Sequence, residues 1–299
     1  MKLVDFKFDG AKQLELKKLP HGAKDAGFSK EDKAEFIART EKNLARIAGL
    51  QDRLYADGRE GVIVVLQAMD AAGKDSTIKH VVGAVNPQGV DVVSFKQPSK
   101  EELAHDYLWR AARALPERGK LAIFNRSYYE DVLVVRVHDL HKGYKLPARC
   151  LKDDDAAFFQ KRYRQINHFE EYLYENGYRL VKIFLNVSKE KQKERFLERI
   201  DDPEKNWKFS EADLKERAYW DSYQALYQET VNETATKHSP WYVIPADQKW
   251  YARYLVSEAM LEALEACGPQ YPALPEADRE HLAACKRQLD AEEDKKDGE

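Results

Sequence analysis

"LQAMDAAGKDST", residues 66–77, comes directly after the apolar run "GVIVV" and before the helix-like "IKHVVGAV". A buried-type strand that feeds a Gly-Lys loop and then a helix is the layout of a phosphate-binding loop. Such a loop works because successive backbone N–H groups, ending at a helix N-terminus, form a concave anion site, while the lysine reaches the terminal phosphates. Set against G-x-x-x-x-G-K-[ST], the stretch keeps Gly73 and Lys74 but has Ala68 for the first glycine and Asp75 for the hydroxyl. On this reading the backbone of Ala71, Ala72, Gly73, Lys74, Asp75 and Ser76 holds phosphate. Asp70 lies inside the loop, where a negative side chain is unfavourable unless a divalent cation separates it from the phosphate, so Asp70 points to metal handling. Asp75, just inside the helix start, is also where the helix dipole alone favours an acid. The bland alternative for the whole stretch is a plain strand-to-helix turn.

Outward from this loop, short β-like runs alternate with helix-length segments. They are "GVIVVLQ" at 61–67, "DVVSFK" at 91–96, "LAIFN" at 121–125, "RLVKIFLNV" at 179–187 and "WYVIPA" at 241–246. Five such runs predict an α/β fold with a five-stranded parallel sheet covered on both faces, in three layers. Before them, Ser29 and Asp32 form a capping-box pattern, and Phe36, Ile37, Leu44, Ile47 and Leu54 recur at helical spacing. Residues 1–57 therefore read as an N-terminal extension with a leading helix, and 58–265 as the α/β domain. Residues 266–299 turn Pro-punctuated and then highly charged, which predicts a peripheral helix and a frayed tail.

A second constellation is "KLAIFNRSYYEDVLVVRVH", residues 120–138. Ligands of parallel sheets sit outside the carboxyl ends of the strands, which is where Asn125 and Arg126 fall. Glu130, Asp131 and Arg136 follow closely, so metal-directed carboxylates and a phosphate-directed guanidinium are within reach of the crevice. A solvated turn with an ordinary charge mix is the other reading. A third stretch, residues 188–220, carries Lys189, Lys191, Lys193, Arg195, Arg199, Lys205 and Lys208, broken by "DDP". Arg195 and Arg199, four apart, share a helix face. A basic segment of this kind, about 188–215, suits a helical lid that closes guanidinium groups over a transferring phosphoryl group, although charge runs on helices are usually solvated faces.

Composition bounds the remaining possibilities. The chain has 299 residues, 34% charged and 43% hydrophobic, with a net charge of -3. No apolar stretch approaches the ~20 residues of a membrane span, and the first residues lack a signal or transit pattern, so a cytoplasmic location is expected. Cys150, Cys267 and Cys285 are unpatterned, which argues against disulfides and zinc. The near balance of charge argues against nucleic acid as a partner. His138 and His141, in "VHDLH", lack further ligand spacing and read as structural.

Taken together, "QAMDAAGKD", "IFNRSYYEDVLVVRVH" and "ERIDDPEKNWKFS" resemble the loop, strand-edge and lid signatures of the polyphosphate kinase 2 family, with similarity running from about residue 30 to residue 265. The resemblance implies a P-loop kinase fold akin to thymidylate kinase, with Mg²⁺ required and Mn²⁺ as its substitute. It also implies phosphoryl transfer between inorganic polyphosphate and nucleotides: AMP, ADP and ATP, with GMP and GDP as further candidates. A homo-oligomer, dimer or tetramer, is the expected assembly. By the same resemblance Asp70, Lys74, Asn125, Arg126, Glu130, Arg195 and Arg199 form the catalytic group, with Asp70, Glu130 and Asp131 toward the metal. Lys79, Arg126, Arg136 and Lys208 join the loop in holding phosphate. Many family members have Asp where this chain has Asn125, and the "NRSYYED" form is similar to the subgroup that accepts nucleoside monophosphates as well as diphosphates. Phosphoryl transfer rests on alignment and charge neutralisation, so no nucleophilic Ser, Cys or His is required. An ATP-dependent nucleoside monophosphate kinase and a nucleotide-operated binding module remain as alternatives. Tyr128, Tyr129 and Trp207 are candidates for stacking on the base or for packing.

Overall fold

The computed structural model describes residues 1–152 and 154–293; the tail expected beyond the last helix lies, in its residues 294–299, outside the described ones. The strands are β1 (Lys7–Phe8), β2 (Gly61–Ala68), β3 (Val90–Ser94), β4 (Leu121–Asn125), β5 (Tyr178–Asn186) and β6 (Trp241–Pro245). The helices are α1 (Lys33–Asp57), α2 (Lys74–Val82), α3 (Trp109–Arg113), α4 (Val134–Val137), α5 (Ala148–Leu151), α6 (Asp155–Glu175), α7 (Lys189–Asp201), α8 (Glu211–Ala218), α9 (Trp220–Thr234), α10 (Lys249–Cys267) and α11 (Glu276–Glu293). All five predicted strands form within a residue or two of their expected bounds.

The sheet order is β1-β6-β5-β2-β4-β3. Strands β2 to β6 are parallel to their neighbours, but β1 adds an antiparallel edge, with Lys7 opposite Tyr242 and Phe8 opposite Trp241. The expected five-stranded parallel sheet is thus corrected to a six-stranded mixed one. Two residues are too few to make an alternation visible in sequence. Phe6 and Phe8 are buried and join the same apolar cluster as the sheet, so the N-terminal segment is part of the core.

Helices cover both faces. Val64, Leu66 and Ile123 meet Ile78, Val81, Val256 and Met260 of α2 and α10. Val65 is in register with Lys182, whose ammonium reaches Glu170 of α6 on the opposite face. Behind α10 lies α1, with Phe36 packed edge-on against Tyr251 and Tyr254. The capping box expected at its start does not form: the N-cap is Asp32, whose carboxylate accepts from the Ser29 backbone N–H at 2.6 Å in the turn ahead of the helix, while Ser29 Oγ accepts from the Glu31 N–H at 3.1 Å. No described helix is long and apolar enough to cross a membrane, and the three cysteines are free thiols.

β2 sits between β4 and β5, and the chain leaves it through α2 to reach β3 beyond β4. Later it returns to the other side as β5. The crevice outside the carboxyl ends of β2 and β4 is the switch point of the sheet, the place where parallel sheets bind ligands.

Candidate active site at the switch point

The loop geometry explains the two unusual letters. Ala68 ends β2 in extended conformation, paired with Leu185, and needs no glycine. The left-handed turns fall later, at Ala71 (φ 58°) and Gly73 (φ 106°), the second being where only glycine avoids strain. A non-glycine residue at positive φ stores on the order of 1–3 kcal/mol and clusters at functional sites. Lys74 opens α2 and folds its ammonium back over the loop, donating to the Ala68 carbonyl at 2.9 Å and approaching that of Met69 at 3.5 Å. Burial pushes its pKa down, and Asp70, Glu130 and Asp75 resist that shift. Asp75, in the place of the hydroxyl, accepts from Asn125 Nδ2 at 2.8 Å and so ties the loop to the end of β4. Ser76 donates to the Gly73 carbonyl at 3.2 Å.

The second predicted stretch delivers Arg126 to the same place. It too has positive φ (63°), and its N–H still pairs with the Leu66 carbonyl at 2.9 Å. Its guanidinium faces Asp70, Nη2 to Oδ1 at 3.2 Å. Burial disfavours the Arg126 charge, but Glu130 and Asp70 outweigh it and raise the pKa. Glu130 accepts from Gln67 Nε2 at 2.8 Å. Asp70, Lys74, Arg126 and Glu130 therefore form one electrostatic group at the mouth of the crevice.

Asp131 and Arg136 do not join it. The Asp131 carboxylate is buried, paired with Arg162 at 3.0 Å and bonded by the Tyr144 hydroxyl at 2.9 Å. Two residues in the same short turn face opposite ways, and only Glu130 stays on the crevice side. Arg136 is engaged by Glu229 at 2.6 Å and by the Tyr163 hydroxyl at 3.2 Å. Tyr128 and Tyr129 are packing residues: both hydroxyls donate at 2.7 Å to Glu170, which also binds Lys182 (2.6 Å) and Ser239 (2.7 Å). Glu170 and Lys182 have no exposed side-chain surface. This buried network underlies the turn that carries Arg126 and Glu130, and the lysine inside the apolar run "RLVKIFLNV" was its sequence signal.

The basic stretch forms α7, a turn and α8. Pro203 ends α7, and Asn206 Nδ2 caps the Arg199 and Ile200 carbonyls at 2.9 and 2.6 Å. Arg195 and Arg199 part company here. Arg195 is buried beneath the loop and donates to four carbonyls: Ala71 (2.9 Å), Ala72 (2.8 Å), Ala246 (2.8 Å) and Asp247 (3.0 Å). Gln192 adds a bond to the Asp70 carbonyl at 2.9 Å. Arg195 thus braces the loop from behind and is no mobile phosphate ligand, a placement that α-helical spacing alone could not reveal. It thereby satisfies two loop carbonyls, Ala71 and Ala72, from the side of α7. Arg199 lies 3.7 Å from Asp213 of α8, and Lys208 is exposed beside Trp207, whose ring is 77% exposed.

Two residues absent from the sequence reading reach the site. Asp213 of α8 stands 3.7 Å from Arg199, and burial and then Asp70 raise its pKa against the pull of Arg199 and Arg126. Tyr227 lies buried beneath, its pKa raised well above normal by burial and by Glu130. Neither stood out in sequence, because one acid in a charged helix and one tyrosine among 16 carry no spacing signal. His138 meets Glu216 at 2.8 Å, and buried His141 meets Asp155 at 3.0 Å, with Asp139 close enough that Asp139, His141 and Asp155 could share a metal ion. Lys79 lies on the exposed outer face of α2, away from this group.

Comparison with known proteins adds an independent line. The family model described as Polyphosphate kinase 2 matches residues 30–272. An ADP-polyphosphate phosphotransferase of Rhodopseudomonas palustris is 46% identical over 97% of this chain and 99% of its own. An AMP/ADP-polyphosphate phosphotransferase of Meiothermus ruber is 50% identical over 76% of this chain and 80% of its own. The crystal structure of polyphosphate kinase 2 from Arthrobacter aurescens superposes with a TM-score of 0.82 at 38% identity, covering 95% of this chain and 98% of that one. With the loop, the strand edge and the α7–α8 segment brought together at one crevice and matched along nearly the whole chain, the protein belongs to the polyphosphate kinase 2 family.

Proposed function

We propose that the chain is a P-loop kinase that transfers phosphoryl groups from inorganic polyphosphate to nucleoside mono- and diphosphates, with the end of α7, the following turn and α8 as its lid. The observation that carries this is the convergence of Lys74, Arg126 and the left-handed loop at the switch point. The loop N–H groups and the Lys74 ammonium neutralise charge on the transferring phosphoryl oxygens, and Arg126 holds a neighbouring phosphate oxygen. When substrate binds, the Asp70–Arg126 pair must open, because phosphate competes for the guanidinium. Closure of α8 over the crevice would exclude water and bring Arg199 toward the phosphates.

The donor set fits Mg²⁺. Asp70 and Glu130 supply hard oxygens, and the buried Gln67 Oε1 beside them has no hydrogen-bond partner among the described residues. The ion, when bound through one or two carboxylates and the substrate phosphates, supplies charge neutralisation across the donor and acceptor. Asp70→Asn keeps the loop shape but removes the charge, so the Mg²⁺ concentration for half-maximal rate is expected to rise at least about fivefold. Titrating rate against Mg²⁺ checks this; an unchanged midpoint would return Asp70 to pairing with Arg126 alone.

The direct test of the reading supplies polyphosphate with ADP or AMP, without ATP, and follows ATP or ADP formation. Turnover with both acceptors is expected; turnover only with ATP as donor would identify an ordinary nucleoside monophosphate kinase. In the same assay Asn125→Asp places a carboxylate 2.8 Å from Asp75 in place of a hydrogen-bond donor. That added charge must attract a cation or repel an acceptor phosphate, and AMP and ADP place their terminal charge differently. The AMP to ADP ratio of kcat/KM is expected to change by more than about tenfold. Equal losses on both acceptors would show that Asn125 serves only the common loop geometry.

A further inference from the structure

A hollow of about 530 Å³ opens on the outer face of α2, lined by Leu44, Ser76, Lys79, His80, Ala84 and Arg253. Its upper end is Ser76, which bonds the loop at Gly73; its lower end is Gly83, about 10 Å away along the helix at 1.5 Å per residue. Two helices bring polar groups to it: the Lys79 ammonium and the His80 imidazole, whose lowered pKa favours the neutral form, from α2, and the Arg253 guanidinium from α10. Lys249, one turn before Arg253 on α10, extends the row toward the Ala246–Asp247 carbonyls that Arg195 holds beneath the loop.

The nearby acids, Glu41 toward His80 and Glu198 toward Lys249, form no direct pair with the row. None of Lys79, His80, Lys249 and Arg253 makes an ion pair among the described residues, and the buried Arg253 Nε has no hydrogen-bond partner. Burial and then Arg253 lower the His80 pKa, while Glu41 of α1 opposes them more weakly. The positions of Lys79 and His80 in the last turn of α2 are explained by the helix dipole. That explanation does not extend to Arg253, in the second turn of another helix, which lines the hollow and carries a buried Nε with no partner among the described residues.

We infer that this hollow is a binding subsite for the polyphosphate chain beyond its reacting end, which leaves the loop past Ser76 and lies along Lys79, His80, Lys249 and Arg253. The inference rests on the proposed donor. A linear polyanion bears a negative charge on every unit, so a row of unpaired cations from two helices is complementary to its continuation, whereas a nucleotide or tripolyphosphate is used up at the loop itself. The subsite adds affinity for long chains and leaves the chemistry untouched.

The test measures KM and kcat for Arg253→Ala and for Lys249→Ala/Arg253→Ala with ADP held saturating, once with long-chain polyphosphate and once with tripolyphosphate. For the long chain, KM is expected to rise about fivefold in the single variant and further in the double, and the slope of log KM against log salt to fall by roughly one per cation removed. Tripolyphosphate KM and both kcat values should stay within about twofold. Arg253→Lys, which retains the charge, should recover most of the long-chain affinity. An unchanged long-chain KM overturns the subsite, as does an equal rise for both donors. A changed sedimentation coefficient with neither KM moved assigns the hollow to contact with a second copy, and overturns it likewise. A wild-type protein inactive with every polyphosphate fails at the earlier step, the donor itself.

Discussion

Lys74→Ala is expected to lower kcat about 10²- to 10³-fold, the usual cost of removing one preorganised charge from a transition state. The ammonium bonds only to loop carbonyls of Ala68 and Met69, so no other element depends on it. Burial already pushes its pKa below the ordinary lysine value, so the fold disfavours the charge that the chemistry needs. Thermal and denaturant stability should therefore be unchanged or slightly raised while activity collapses, the trade-off expected where a strained, desolvated group serves catalysis. Steady-state kinetics and a urea melt on the same preparation check both halves. Near-normal turnover in the folded variant would show that the 69–73 loop does not hold the transferring phosphoryl group. A large loss of stability would show that Lys74 chiefly supports the loop.

Glu170→Ala should be the most damaging substitution outside the crevice. It removes the carboxylate that accepts from Tyr128, Tyr129, Ser239 and Lys182 at once, and leaves the Lys182 ammonium buried without its counter-charge. Breaking one partner of a buried pair costs about 3–5 kcal/mol. Lys182 would keep its bond to the Thr234 carbonyl at 2.7 Å, which offsets only part of that cost. Because Tyr128 and Tyr129 anchor the turn carrying Arg126 and Glu130, any variant that still folds should also lose kcat. Replacing both members, Glu170→Leu with Lys182→Met, should recover only the part due to the stranded charge, since the Tyr128, Tyr129 and Ser239 hydroxyls stay without their acceptor. The comparison is made by urea unfolding of the two singles and the double. A single-variant loss below about 1 kcal/mol would mean that water reaches Lys182 and the network is not a structural anchor.

Much of the architecture was determined by sequence alone. Continuous apolar runs such as "GVIVVLQ" and "LAIFN" must be buried on both faces, which requires parallel strands under helices, and Gly73-Lys74 after such a run places the loop at the sheet's carboxyl edge. The meeting of Asp70, Lys74, Arg126 and Glu130 followed from that placement. Tertiary structure alone decided which neighbours of these residues face the crevice. Asp131 was indistinguishable from Glu130 in the string, yet Arg162, far along the chain, draws it into the core. Arg195 and Arg199 share a helix face by spacing, but only packing of α7 against the loop turns the first into a brace for four carbonyls and leaves the second near Asp213. Asp213, Tyr227 and Arg253 gain their meaning from partners on other elements. The physical reason is the range of the forces involved. Strand and helix identity follows from local periodicity and burial, which a sequence displays directly. The direction of a charged side chain is set by competing partners brought together from distant segments, and those partners are chosen only when the layers pack.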